Sequence, residues 1–227
     1  MQDIYGFLSS ISEKDSNNSR LRKLSSLKSF FNYLKKIEVI KYNVILDMDK
    51  EDKPKKEKRM PKYFTLEECK KLINSTKGRN QFRDKVIIMM FLTTGMRLSE
   101  LVSLNVEDIK DSPMRIIGKG NKEREVYLCE KMDILLKEYL KSRPKKEEKA
   151  LFLSQQGNKI SGRVAVQDVL RNAIKSVGLN TEDKSDVLVH ILRHTYATLQ
   201  HQNGVDIRAL QQLLGHESIY LSNLHTR

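Results

Sequence analysis

The sequence predicts a mainly α-helical chain with one small antiparallel β-sheet, arranged as two domains. Three observations carry that prediction. Most of the apolar residues recur at helical spacing, as Leu24, Leu27, Phe31 and Leu34 do. Only two short runs, Met114–Ile117 and Arg124–Leu128, are strand-like, and the turn residues Gly118-Lys119-Gly120-Asn121 lie between them. Residues 48–62 carry almost nothing apolar and include Pro54 and Pro61, which marks an exposed, extended linker. The expected division is a small helical unit over 1–47, the linker over 48–62, and a larger domain over 63–227.

Within the first unit, the helix around Leu24 to Leu34 has an apolar stripe that Phe30 and Ile37 should widen. Its other face carries Arg22, Ser25, Ser29 and Lys36, flanked by Lys28 and Lys35. Cations mixed with small hydroxyls suit a phosphate backbone, although a solvated helix surface has the same composition. The linker's lysines are open to the same two readings. The larger domain begins with Thr65-Leu66-Glu67-Glu68, a capping box in which Thr65 caps the helix and Glu68 reaches back. Helices are expected over 66–76 and 81–93, the second built on Val86, Ile87, Met89, Met90 and Leu92 and stopped by Gly95. A short helix follows Arg97, and the hairpin turn should lift Lys119 out of the sheet. Four more helices are expected near 131–141, 163–176, 190–202 and 206–214.

The 42 Lys and Arg against 29 Asp and Glu give a net charge of +13, which calls for a polyanionic partner. Nucleic acid is the commonest, and an anionic membrane surface is the alternative. A spanning helix is excluded, because the apolar run Val86–Leu92 is far too short. The first residues lack the form of a signal peptide. Two cysteines, Cys69 and Cys129, give neither a disulfide framework nor a metal-ligand spacing and suit a reducing cytoplasm. Neither a metal site nor a cofactor motif is expected.

The chemistry collects in four segments. In a helix, His190, Arg193 and His194 of His190-Ile191-Leu192-Arg193-His194 share one face, where their charges need an anion between them. A phosphate fits, because a guanidinium fork grips two of its oxygens while an imidazole takes a third atom. Thr94-Gly95-Met96-Arg97 sets an arginine at a helix start directly after a glycine break. Gly118-Lys119-Gly120 holds a lysine between two glycines, and Leu213-Leu214-Gly215-His216 projects His216 beyond a helix end. Each has an ordinary surface explanation alone; their order and separation do not.

These segments resemble the tyrosine recombinase (phage integrase) family, in a Xer-like form. Thr-Gly-Met-Arg-Leu-Ser-Glu-Leu around Arg97, Gly-Lys-Gly-Asn-Lys-Glu-Arg around Lys119, His-Ile-Leu-Arg-His at 190–194 and Leu-Leu-Gly-His ending at 216 carry the likeness. The match covers Thr65 to about His216, and the amino-terminal helices resemble part of that family's core-binding domain. It implies site-specific recombination of double-stranded DNA through a 3′-phosphotyrosine intermediate, with other protomers on the DNA and without metal or nucleotide cofactor. Arg97 and Arg193, helped by His216, would clamp the non-bridging oxygens, which is work that metals do in two-metal nucleases. Lys119 would protonate the departing 5′ oxygen, and His190 would assist proton removal or orient the phosphate. By the same likeness His194 is a structural residue hydrogen-bonded within the domain, and Glu100 steadies its helix.

The likeness fails at the nucleophile. Aligning Leu-Gly-His-Glu-Ser-Ile with the family pattern puts His225 where the tyrosine belongs, and Tyr220 lies about one helical turn too early. The chain is also expected to be truncated at both ends relative to the family. A disabled recombinase, a non-catalytic DNA-binding protein on the same fold, and a type IB topoisomerase-like enzyme all remain open at this point.

Overall fold

The computed structural model describes residues 2–11, 15–48, 53–55, 62–109, 113–117, 123–144, 148–160, 162–179 and 186–215. The chain divides into two compact units, Met1–Met60 and Pro61–Arg227.

In the first unit, α1 (Gln2–Ser10) and α2 (Asn17–Lys36) enclose a small core of Ile4, Leu8, Leu24, Ile45 and Met48. Ser16 caps α2 by accepting from the Ser19 N–H at 3.3 Å. Asn43, fully buried, folds the chain back onto the helix. Its amide donates to the Lys28 carbonyl and to Asn32 Oδ1, and its own oxygen accepts from the Ile45 N–H. Leu24, Leu27 and Phe31 form the expected stripe, but Phe30 and Ile37 are exposed. Among the described residues of this unit, α1 and the returning segment cover α2, and the buried stripe stays narrow. Met48, read from composition as the start of the linker, is part of this core.

The second unit is organised around α4 (Gln81–Thr94), which packs against α3 (Leu66–Asn74), α6 (Glu130–Ser142), α7 (Arg163–Ser176) and α8 (Asp186–Gln202). Val86, Ile87, Ile88, Met90 and Phe91 are buried around most of its circumference, as a helix enclosed by others requires. The Thr65–Glu68 capping box at the start of α3 is present with both reciprocal hydrogen bonds. Thr195 of α8, wholly buried, accepts from the Phe64 N–H at 2.9 Å and donates to the Ile191 carbonyl, fastening the entry segment to α8. Between α4 and α6 lie α5 (Leu98–Ser103) and the antiparallel pair β1 (Met114–Ile117) and β2 (Glu123–Val126). Met114 pairs with Val126 and Ile117 with Glu123. The last helix with described bounds is α9 (Ile207–Leu214).

The expected element boundaries hold to within two residues, except that α8 begins four residues before 190. Leu188 and Val189 are buried there and extend its apolar face. Two isolated bridges, Asn105–Ala150 and Leu153–Lys159, have no sequence signature.

Candidate phosphate-binding site

The site forms where α4, α5, β2 and α8 meet the end of α9. A helix leaves its last carbonyls without intrahelical partners, and α9 supplies three of them to three arginines. The Arg124 Nη1 donates to the Leu213 carbonyl, Arg193 Nη2 to Leu214 at 2.5 Å, and Arg97 Nη2 to Gly215 at 3.1 Å. Three segments far apart in sequence therefore place guanidiniums on successive carbonyls. A helix carboxyl terminus also carries the negative end of the helix dipole, which favours cations there.

Two glycines make the approach possible. Gly95 ends α4 in the left-handed conformation at φ +59°, and its carbonyl accepts from Arg193 Nη1 at 2.5 Å. A Cβ on Gly95 would lie 2.5 Å from Tyr196 Cδ1 and 2.7 Å from Leu214 Cδ2, so no larger residue fits. Gly215 ends α9 at φ +64°, and a Cβ there would stand 3.3 Å from Arg124 Cδ.

One carboxylate lies beneath the arginines. Glu100, 1% exposed, accepts from the Arg97 backbone N–H at 2.7 Å, from Arg97 Nη1 at 2.8 Å and from Arg124 Nη2 at 2.9 Å. Burial pushes its carboxyl upward, but the Arg124 and Arg97 hydrogen bonds outweigh burial and hold it below the ordinary carboxylate range. Arg193, only 8% exposed, is drawn down to about 10, first by burial and then by the neighbouring Arg97 charge. Arg97 keeps 29% of its side chain exposed. Beside it opens a cleft of about 770 Å³ lined by Ser99, Ser103, Arg115 and Glu123 among others.

Arg97 and Arg193 thus share one site. His190 is exposed on α8, one helical turn before Arg193. His194 is exposed as well, and among the described residues no hydrogen bond holds its ring. The internal hydrogen bond expected of it is not found among the described residues. Glu100 steadies not only its helix but two arginine side chains. Lys119, His216, Tyr220 and His225 lie outside the described residues. On α2, Arg22, Ser25, Lys28, Ser29 and Lys36 are all exposed, and the Ser29 hydroxyl donates to the Ser25 carbonyl. Among the described residues no group of three or more His, Cys, Asp or Glu side chains is placed to hold a metal ion.

Arg124 is the member to which sequence reasoning gave no role, although it closes the Gly-Lys-Gly-Asn-Lys-Glu-Arg stretch and begins a strand-like run. Its signal was strand alternation, which puts Arg124 on the same face as the buried Val126. An arginine on the inward face of a strand needs a partner.

A helical domain with a small strand pair thus brings three arginines to one helix end, an arrangement that suits an anion. The phage integrase family model matches residues 62–226, and the chain belongs to that family. The tyrosine recombinase XerC of Caldanaerobacter subterraneus subsp. tengcongensis is 43% identical over 233 residues, covering 100% of this chain and 64% of that protein. XerC of Thermodesulfovibrio yellowstonii is 34% identical over 237 residues, covering 98% and 76%. Among solved structures, the XerH site-specific recombinase bound to its difH substrate in a pre-cleavage complex is 28% identical with a TM-score of 0.74. That likeness covers 98% of this chain and 65% of XerH. The chain therefore spans just under two thirds of the length of the first of these XerC relatives and of XerH.

Proposed function

We propose that this chain is the DNA-handling part of a site-specific recombinase that acts on double-stranded DNA alongside other protomers. In this reading residues 1–47 are a partial core-binding unit, 48–62 a linker and 63–227 the catalytic domain. The observation that carries it is the convergence of Arg97 and Arg193 on the end of α9. Attack on a phosphodiester builds negative charge on the two non-bridging oxygens, and preorganised guanidiniums stabilise that charge most where water is excluded. Arg97 uses two of its five N–H donors on Glu100 and Gly215, which leaves donors for an oxygen on its exposed side. Arg193, His216 and His190 complete the grip, and Lys119 delivers a proton to the 5′ oxygen as its bond to phosphorus breaks. A phenol attacking phosphorus would conserve the bond as a phosphotyrosyl ester, so rejoining needs no nucleotide. The exposed face of α2, with Arg22, Ser25, Lys28, Ser29 and Lys36, follows the DNA backbone.

His225 stands where the family's tyrosine is expected, so the chain as it is grips the phosphate without forming the ester. The test uses a duplex site selected by the protein from a random pool and nicked to trap covalent product. The native chain should yield no adduct, and His225→Tyr should yield one that forms equally well in EDTA. An adduct from the native chain that disappears in Tyr220→Phe would move the nucleophile to Tyr220. Binding without any adduct from His225→Tyr would leave a DNA-binding protein on a recombinase fold.

A further inference from the structure

We infer that Arg124 is a positioning residue of this site, sharing Glu100 with Arg97 so that the Arg97 guanidinium stays turned toward the phosphate. The inference rests on the recombinase reading above. Arg124 is held by its fork: Nη2 donates to Glu100 Oε2 at 2.9 Å and Nη1 to the Leu213 carbonyl. Its side chain is 11% exposed, and its Nε is buried with no hydrogen-bond partner among the described residues. A buried donor without a partner costs stability, so tighter packing alone does not explain an arginine here.

The geometry supplies the other explanation. Glu100 has two oxygens. Oε1 takes the Arg97 side chain, while Oε2 takes the Arg97 backbone N–H and Arg124. With Arg124 in place, the Arg97 guanidinium meets Glu100 through one nitrogen, and its second terminal nitrogen reaches Gly215. Without Arg124, Oε2 keeps the Arg97 backbone N–H but has a lone pair free for a two-pronged pair with the Arg97 side chain, the geometry guanidinium and carboxylate prefer. Arg97 would then turn its fork from the phosphate to the carboxylate. Three guanidiniums less one carboxylate leave two positive charges in the arginine cluster, besides any that Lys119 and the histidines add. Removing Arg124 leaves one. Arg124 also stands on β2, and its Cδ packs where a side chain on Gly215 would lie. One residue thereby ties the hairpin, the Arg97 helix and the end of α9 together.

The experiment measures binding of the full chain to the selected duplex, with single phosphates replaced in turn by neutral methylphosphonate. In the native protein one phosphate should stand out, its neutralisation weakening binding by at least ~10-fold, as expected for charge-assisted hydrogen bonds. In Arg124→Met that contrast should fall by about tenfold, while the dependence of affinity on salt changes by less than one phosphate's worth. Arg124→Lys keeps the charge but lacks the planar fork, and should lose most of the contrast too. It carries the same test should Arg124→Met fail to fold. A native-like contrast in Arg124→Lys or Arg124→Met overturns the proposal. So does a variant whose salt dependence drops by a full phosphate while the contrast stays, since Arg124 would then be an ordinary backbone contact. A native protein with no outstanding phosphate overturns the recombinase reading as well, so the two failures are distinct.

Discussion

Replacing Glu100 with glutamine tests the ionic centre of the site directly. The side chain keeps its size, so no cavity opens, but one acceptor oxygen becomes an NH2 group. If the amide oxygen replaces Oε2, it retains the Arg97 backbone N–H and Arg124 Nη2, and the NH2 group faces Arg97 Nη1, donor against donor. Removing one partner of a buried ion pair costs roughly 3–5 kcal/mol. Arg97, 29% exposed, recovers part of its hydration, whereas Arg124 at 11% recovers little, which places the expected loss near the lower bound, about 3 kcal/mol. Urea unfolding reads this as a midpoint lower by ~1.5 M at an unchanged slope of about 2 kcal/mol/M. Acid supplies a second signature. The native carboxyl titrates below its ordinary value of 4.5, so its stabilisation is complete above that pH and is lost as pH falls through the folded-state value. The gap between native and variant should therefore narrow as pH drops below 4.5. A loss under ~1 kcal/mol, or a gap that does not change with acid, would refute the idea that Glu100 is a charged counter-ion beneath the arginines.

Two other substitutions address the frame and the exposed face of α2. Gly95→Ala combines a left-handed backbone cost of ~1–2 kcal/mol with overpacking of ~1–3 kcal/mol against Tyr196 and Leu214, and a thermal melt should show the sum as a clear fall in midpoint. An unchanged melting temperature would mean that α8 and α9 do not press on that turn. Lys28→Ala on the exposed face of α2 should weaken DNA binding evenly across sequences and lower the salt slope by about 0.9, the share of one phosphate. No change in slope would place that face away from the backbone.

Much of the architecture could be read beforehand because its signals are local. The Thr65–Glu68 box starts α3, Gly95 and Gly215 end α4 and α9, and the runs around 114 and 124 pair with each other. Periodicity over-extended the stripe on α2, since it cannot tell how many partners will cover a helix, and Phe30 and Ile37 stayed exposed. Within the site, Arg97 and Arg193 were legible because each sits at a helix break or on a helix face with other cations. The role of Arg124 was not, because it depends on Leu213 and Glu100, residues distant in the chain. A contact between segments far apart leaves a local trace only when a residue type conflicts with its position. The inward-facing arginine on β2 was such a conflict.

What the arginines are bonded to matters as much as where they converge. A guanidinium paired with its own carboxylate is well oriented but electrically spent, and three such pairs would present a neutral surface to DNA. Backbone carbonyls orient without neutralising. Gly95, Leu213, Leu214 and Gly215 fix the three forks through C=O dipoles, and a single carboxylate is divided between two of them. The cost is electrostatic crowding, visible in Arg193, whose affinity for its proton is lowered by burial and by Arg97. That crowding is what an anion arriving between the guanidiniums would relieve, since it removes repulsion as well as adding attraction. The turn at Gly215 makes the arrangement possible: it ends α9 abruptly enough to expose consecutive carbonyls, and it has no side chain to hold Arg124 away.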